Sequence, residues 1–255
     1  MEITSYLSEC IKNDIAVSFS KYGDGEYNCV TGHHGHNCDN DNYTNKLKYA
    51  LIESFKYMVN VDNAYLGIWH NTSVTNFWES LANTSVKWVN YHSIIMSDNE
   101  PKKDKIELYK TIQKSPLNKY IICNLLLVKS QLLFHTTDMI NVPFNNWFDN
   151  KFTEILDKIC SNLSKNTTGK PDIVITACGM SAKVLICELT KRFPNNIYLD
   201  FGSALDIICT KHDTRGWKAT YDQYIDDLKE IIPDNWDDPK YDYIYQEAKI
   251  KLRQL

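Results

Sequence analysis

The 255-residue sequence has no CxxC pair, no GxSxG elbow, no repeat of fixed period, no low-complexity block and no long linker. Without a nucleophile elbow there is no ground for a Ser-His-Asp or Cys-His hydrolase. No stretch reaches about 18 uninterrupted apolar residues, the length that spans a bilayer. The longest candidate, YIICNLLLVKSQLLF, is broken by Asn124, Lys129, Ser130 and Gln131. Positive charge is not in excess: the formal net charge is −4, so no whole-chain attraction to nucleic acid or anionic membrane is expected. The opening MEITSYLSECIKND lacks a basic region followed by an apolar run, so no secretory signal is expected. The Asn-x-Ser/Thr sequons at Asn71, Asn83 and Asn166 should then go unused. Eight cysteines are present, mostly in apolar surroundings, where Cys acts as a small buried hydrophobe. They read as reduced thiols of a cytoplasmic protein.

What is present is alternation. Short apolar runs alternate with helical spacing, the mark of an α/β domain, and the length suits a single domain with a proper core. Helices are expected over Ile3 to Lys12, Thr44 to Val59 and Val74 to Leu81, in NEPKKDKIELYKTIQKSP, and onward to about Phe134. Strands are expected at Ile15 to Ser20, Ala64 to Trp69, Val86 to Tyr91, Tyr120 to Asn124 and Met139 to Val142. Phe148, Phe152, Ile155, Leu156, Ile159 and Leu163 recur at helical intervals. DIVITAC, SAKVLICELTKRF and IYLDFG then read as strand, helix and strand, a βαβ unit of a parallel sheet. The expectation is a Rossmann-like, mostly parallel sheet with helices on both faces over residues 1–255. A helical C-terminal extension from about 218 to 255 is split between Pro233 and Pro239.

In such sheets ligands bind at the carboxyl ends of the strands, and three loops there are chemically loaded. Gly23-Asp24-Gly25-Glu26 follows the first strand; if extended, it turns Asp24 and Glu26 to one face, two hard oxygen donors suited to Mg²⁺ or Mn²⁺. Asp-Gly is also an ordinary turn dipeptide. In CGMSAKV, Gly179 after a strand and Ser181 at a helix start make either an anion site or a capped turn; Lys183 adds charge or faces solvent. In LDFGSALD, Asp200 stands in an apolar strand and needs a partner: a metal, a basic side chain, or donors such as Ser203. Asp206, Lys211, His212 and Arg215 follow, and a structural salt bridge competes with a functional role.

His33, His34, His36 and Cys38 have the composition of a zinc cluster. They form one run without the second spaced pair that zinc sites use, so a solvated polar loop is the alternative. His135, after an apolar run, is either a site residue or a helix-end histidine.

Taken together, four ordered segments over residues 18 to 206 resemble the GT-D-type glycosyltransferases, a nucleotide-sugar transferase fold. Ser18-Phe19-Ser20-Lys21-Tyr22-Gly23-Asp24-Gly25-Glu26 is similar to that family's Ser-x-x-Arg-x-Gly-Asp-Gly-Glu segment, whose Asp-x-Glu binds the metal of a UDP-sugar. NVPFNNWF is similar to a Pro-x-x-Asn segment bordering the donor pocket. CGMSAKVLICEL and IYLDFGSALD are similar to Gly-Pro-Ser-Ala-Lys and Asp-x-Gly-Ser segments. Lys21 stands where the family has Arg, turning a bidentate grip into a point charge. Met180 replaces Pro, and the His-rich run and the tail after Arg215 have no counterpart.

The resemblance implies a metal-dependent hexosyltransferase acting from a UDP-sugar onto a hydroxyl of a glycan or glycoconjugate. Asp24 and Glu26 would hold Mn²⁺ or Mg²⁺. Lys21, Gly23, Asn146, Gly179, Ser181, Ser203 and Arg215 would bind the donor. Asp200 or Asp206 would orient the sugar or act as base, with His135 and His212 in reserve. Homo-oligomer formation stays open. Rival readings are a silent sugar-nucleotide-binding module, a metal-dependent phosphohydrolase of nucleotide sugars, and a zinc-organised interaction protein.

Overall fold

The computed structural model describes residues 2–37, 39–69, 71–97 and 101–254. In chain order its elements are α1 (Ile3–Lys12), β1 (Val17–Tyr22), α2 (Asp24–Thr31), α3 (Asn45–Met58), β2 (Ala64–Ile68), α4 (Thr72–Ala82), β3 (Trp88–Asn90), α5 (Lys103–Lys114), β4 (Lys119–Cys123), α6 (Ser130–Phe134), β5 (Asp138–Asn141), α7 (Trp147–Leu163), β6 (Ile173–Ala177), α8 (Ser181–Arg192), β7 (Ile197–Asp200), α9 (Asp206–Thr210), α10 (Tyr221–Leu228) and α11 (Pro239–Leu252). No helix among the described residues is long and apolar enough to cross a membrane.

Seven strands form one sheet in the order β3-β2-β1-β7-β6-β4-β5, and every pairing is parallel. The central strands are buried on both faces, which is why IVITA and IYLD read as continuous apolar runs. One face packs α1, α5, α6, α9 and α10 around residues such as Leu7, Leu108, Phe134, Ile208 and Leu228. The other packs α3, α7 and α8 around Leu51, Phe55, Ile159 and Leu185. The expected βαβ unit is present: β6 leads through α8 into its neighbour β7.

Helix α7 buries Phe148, Ile155, Leu156, Ile159 and Leu163, the stripe its spacing announces. Helix α3 starts on Thr44, whose hydroxyl accepts from the Leu47 N–H at 3.2 Å. Strand β1 begins and ends later than its apolar pattern suggests. Ile15 is 48% exposed, whereas Lys21 and Tyr22 are fully enclosed by the sheet. The first half of the C-terminal extension packs into the core, whereas α11 buries only Ala248. Tyr224, Leu228, Ile231 and Trp236 are buried in that core, and the Tyr224 hydroxyl donates to the Met96 carbonyl at 2.9 Å. Lys129, itself buried, reaches Asp242 of α11 at 2.8 Å and lies over the Trp236 ring. The seven described cysteines are free, and Cys38 lies outside the described residues.

The chain builds outward from β1 through β2 to β3, then crosses to the other half of the sheet for β4 and β5. Loops leaving the strand ends on either side of this reversal diverge and open a crevice, the usual ligand position in doubly wound sheets.

Candidate functional site

A cleft of about 350 Å³ occupies that crevice. Its floor is an ionic network drawn from four elements. Asp200, at the end of β7, is wholly buried; its Oδ2 accepts from the Lys21 N–H of β1 at 3.0 Å and lies 3.0 Å from Lys183 Nζ of α8. Lys183 Nζ also lies 2.7 Å from Glu26 Oε1 of α2. The other Glu26 oxygen accepts from the Gly23 N–H at 2.8 Å. Lys183 is therefore not a solvent-facing residue but the cation between two buried carboxylates. Burial works against its charge, yet Asp200 and Glu26 hold its pKa well above the ordinary lysine value. Lys21 donates to the Phe201 carbonyl at 2.5 Å, and burial, opposed by Asp200, pushes its pKa down to about 8.

Gly23 to Glu26 is not extended. Gly23 caps α2, which begins at Asp24, so Asp24 and Glu26 stand about 200° apart around the helix instead of sharing a strand face. Asp24 is exposed and Glu26 buried, and both line the cleft. Among the described residues no three His, Cys, Asp or Glu side chains form a ready metal cage. Both Glu26 oxygens are engaged, by Lys183 and by the Gly23 N–H, so a Mg²⁺-type ion shared with Asp24 would have to compete with Lys183 for the Glu26 carboxylate.

The His-rich loop supplies a wall that its composition conceals. A bridge between His36 and Asn42 closes it into a hairpin, and the Asn37 amide oxygen accepts the N–H groups of Asp39 and Asp41 at 2.9 and 2.8 Å. Two of its histidines turn to local partners: His33 Nδ1 to the Thr31 hydroxyl, His36 Nδ1 to the Asn37 carbonyl. The loop is clasped by Asn146, whose N–H donates to Asp41 Oδ1 and whose side-chain oxygen accepts from the Asn42 N–H, both at 2.8 Å. Asn146 thus positions the loop rather than lining the cleft. Burial raises the Asp41 pKa to about 6. Gly179 has φ +71°, and a Cβ there would lie 2.8 Å from Asp41 Oδ2, so only glycine fits. Helix α8 starts at Ser181 with Met180 as its cap and without a side-chain capping bond; Ser181 is buried at the first helical position, not the cap.

Ser203, Asp206 and Arg215 complete the cleft. The Arg215 guanidinium pairs with Asp39 and lies 3.9 Å from Asp206 Oδ2. The Thr214 hydroxyl donates to Asp206 at 2.5 Å. Burial raises the Asp206 carboxyl to about 7, with the Thr214 bond opposing. His135 caps α6 at φ +50°, exposed, just before the amino end of β5 and so away from the edge that holds the cleft. His212 is exposed beyond α9, and neither histidine contributes to the cleft lining. Side chains absent from the expectation but present in the lining include Asn37, Asp39, Asp41, Trp69, Tyr91 and Trp217. Lys183, read from CGMSAKV as added charge or a solvent-facing residue, also lines the cleft.

Solved structures share this fold. A domain of unknown function 1792 (DUF1792) matches at TM-score 0.57 and 18% identity, over 90% of this chain and 97% of the other. A DUF1792 protein from Streptococcus sanguinis, described as a new glycosyltransferase, matches at the same score and identity over 80% and 81%. A third, described as having a distinct glycosyltransferase fold, matches at 0.54 and 18% over 89% and 96%. No family model matches the chain, and no curated protein matches it in sequence. The resemblance read from the four segments holds at the level of fold.

Proposed function

We propose that the chain is a glycosyltransferase that takes a hexose-type sugar from a nucleotide diphosphate, UDP by the resemblance, and passes it to a hydroxyl of a glycan or glycoconjugate. The observation that carries this reading is the convergence of α2's first turn, the Gly179 turn and Asp206 on one cleft at the reversal of the sheet. The amino ends of α2 and α8 supply N–H groups and positive dipole ends for phosphate. Asp24 and Glu26 would hold Mn²⁺ or Mg²⁺, which when bound neutralises the departing diphosphate as a Lewis acid. Arg215 in the lining and Lys21 in the floor add positive charge.

In this reading Asp206 serves as the base. Asp200 is sealed under the floor and acts through Lys183, so it is a positioning residue. The Asp206 carboxylate takes the proton of the acceptor hydroxyl as that oxygen bonds to the anomeric carbon. The bond from that carbon to the phosphate oxygen breaks, and its electron pair leaves with the diphosphate. A base with a pKa near the working pH is suited to this transfer. The free cysteines are in keeping with a cytoplasmic enzyme. The test is turnover of a UDP-sugar panel with Mn²⁺, with and without saccharide acceptors. Acceptor-stimulated transfer supports the reading; equal cleavage without acceptor would instead assign a phosphohydrolase.

A further inference from the structure

The two wings of the cleft differ. Towards β4 and β5 it is closed by Leu127, Val142 and Trp147, all buried. Towards β2 and β3 it opens onto three aromatic side chains: Trp69 after β2, Tyr91 after β3, and Trp217 from the segment beyond α9. The ring centroids of Trp69 and Trp217 are 6.5 Å apart at 41°. His92 meets both edge-on, at 5.5 Å and 72° for Trp69 and 5.2 Å and 83° for Trp217. Tyr91 packs 6.3 Å from Trp69. The two indoles are thus held in fixed orientation by a histidine that lies outside the cleft lining. Trp69 remains 50% exposed, and the Trp217 indole N–H, itself buried, has no hydrogen-bond partner among the described residues.

A half-exposed tryptophan held rigidly at a cleft mouth is not a core residue, and an unsatisfied indole N–H calls for an acceptor. Around these rings the lining is carboxylate-rich, with Asp24, Asp39 and Asp206. Carboxylates accept hydrogen bonds from hydroxyls, and the electron-rich ring face attracts polarised C–H bonds. A pyranose presents both kinds of group at once, C–H on its face and hydroxyls on its rim. The closed wing suits the enclosed part of a donor; a residue attached to a longer glycan has to enter from the open side.

We propose that Trp69 and Trp217 form the platform on which a pyranose unit of a saccharide acceptor stacks, its hydroxyl turned towards Asp206. The assignment rests on the transferase reading and names its acceptor class. The platform should act in acceptor binding and leave nucleotide binding alone.

The test uses methyl glycosides of maltose, cellobiose and chitobiose as probes, observed by saturation-transfer NMR on the full chain with UDP and Mn²⁺. UDP affinity is measured separately by calorimetry. At least one disaccharide should receive saturation, strongest on its ring C–H protons. That signal should fall at least fivefold in Trp69→Ala and Trp217→Ala and be retained in Trp69→Phe, with UDP affinity changed less than twofold. Circular dichroism of each variant checks that the fold is kept. No saturation on the wild type, or equal saturation on the alanine variants, overturns the proposal. A parallel loss of UDP affinity also overturns it, because the platform then holds the base. Saccharide binding without UDP binding leaves the platform standing and removes the donor assignment instead.

Discussion

Lys183 Nζ and Glu26 Oε1 lie 2.7 Å apart with both side chains buried, one from the first turn of α8 and one from the first turn of α2. The pair joins the two turns that the proposed chemistry needs, and Asp200 beneath it completes a triad. Lys183→Met removes the cation and leaves two buried carboxylates facing each other. Breaking a buried pair in this way costs about 3–5 kcal/mol. Urea denaturation should show that loss, and a change below about 1 kcal/mol would mean the triad is dispensable.

Gly179→Ala should destabilise the fold and weaken nucleotide binding together. The added methyl meets Asp41 Oδ2 at 2.8 Å, and the backbone is already left-handed. Gly216 has a similar φ of +69° but open space around it. Gly216→Ala therefore isolates the backbone cost, of order 1–3 kcal/mol. Thermal melts of the two variants should separate the contribution of the contact from that of the conformation.

Asp206 carries the pH dependence. Its carboxyl is raised to about 7 in the folded chain from 3.8. Transfer should therefore rise as pH increases through about 7, and the rise should vanish in Asp206→Asn. For stability the sign is opposite. Between about pH 4 and 7 the folded chain binds a proton that the unfolded chain has released, so Asp206 lowers stability as pH rises across that window. Asp206→Asn should remove the slope between about pH 6 and 7, while Asp39 and Asp41, each raised to about 6, keep part of it below pH 6.

Arg215→Ala should separate binding from folding. Its partner Asp39 is exposed, and such pairs contribute about 0–1 kcal/mol to stability. The guanidinium nevertheless lines the cleft. UDP affinity by calorimetry should fall about tenfold or more, about 1.4 kcal/mol, while the melting temperature barely moves.

The architecture was legible wherever burial was continuous. IVITA, IYLD and the α7 stripe have one reading, because a strand enclosed on both faces or a helix packed along one leaves its period in the sequence. The site was legible only as residue types. Gly23-Asp24-Gly25 reads as a turn, since two glycines suit few helices; only the sheet edge above it makes that turn a helix start. Lys21 looks like the end of a strand and Lys183 like a solvated first-turn lysine, because nothing local announces that Asp200 lies between them. Asp39 and Asp41 sit in a polar run whose histidines draw attention, and their value comes from Asn146 and Gly179, more than a hundred residues away. Trp69 and Trp217 are isolated aromatics with no period at all. Contacts of this range are set by topology, and local patterning carries no record of them.

The central claim is that the cleft binds a nucleotide diphosphate sugar with a divalent ion held by Asp24 and Glu26. The most direct measurement is the thermal unfolding of wild type and Asp24→Asn with UDP-sugars, in the presence and absence of Mn²⁺. A ligand that binds only the folded chain at about 100 times its Kd adds about 2.7 kcal/mol. The account predicts a Mn²⁺-dependent rise in melting temperature for wild type with at least one UDP-sugar, and its loss in Asp24→Asn. No shift for any UDP-sugar, or an equal shift in the variant, would contradict it.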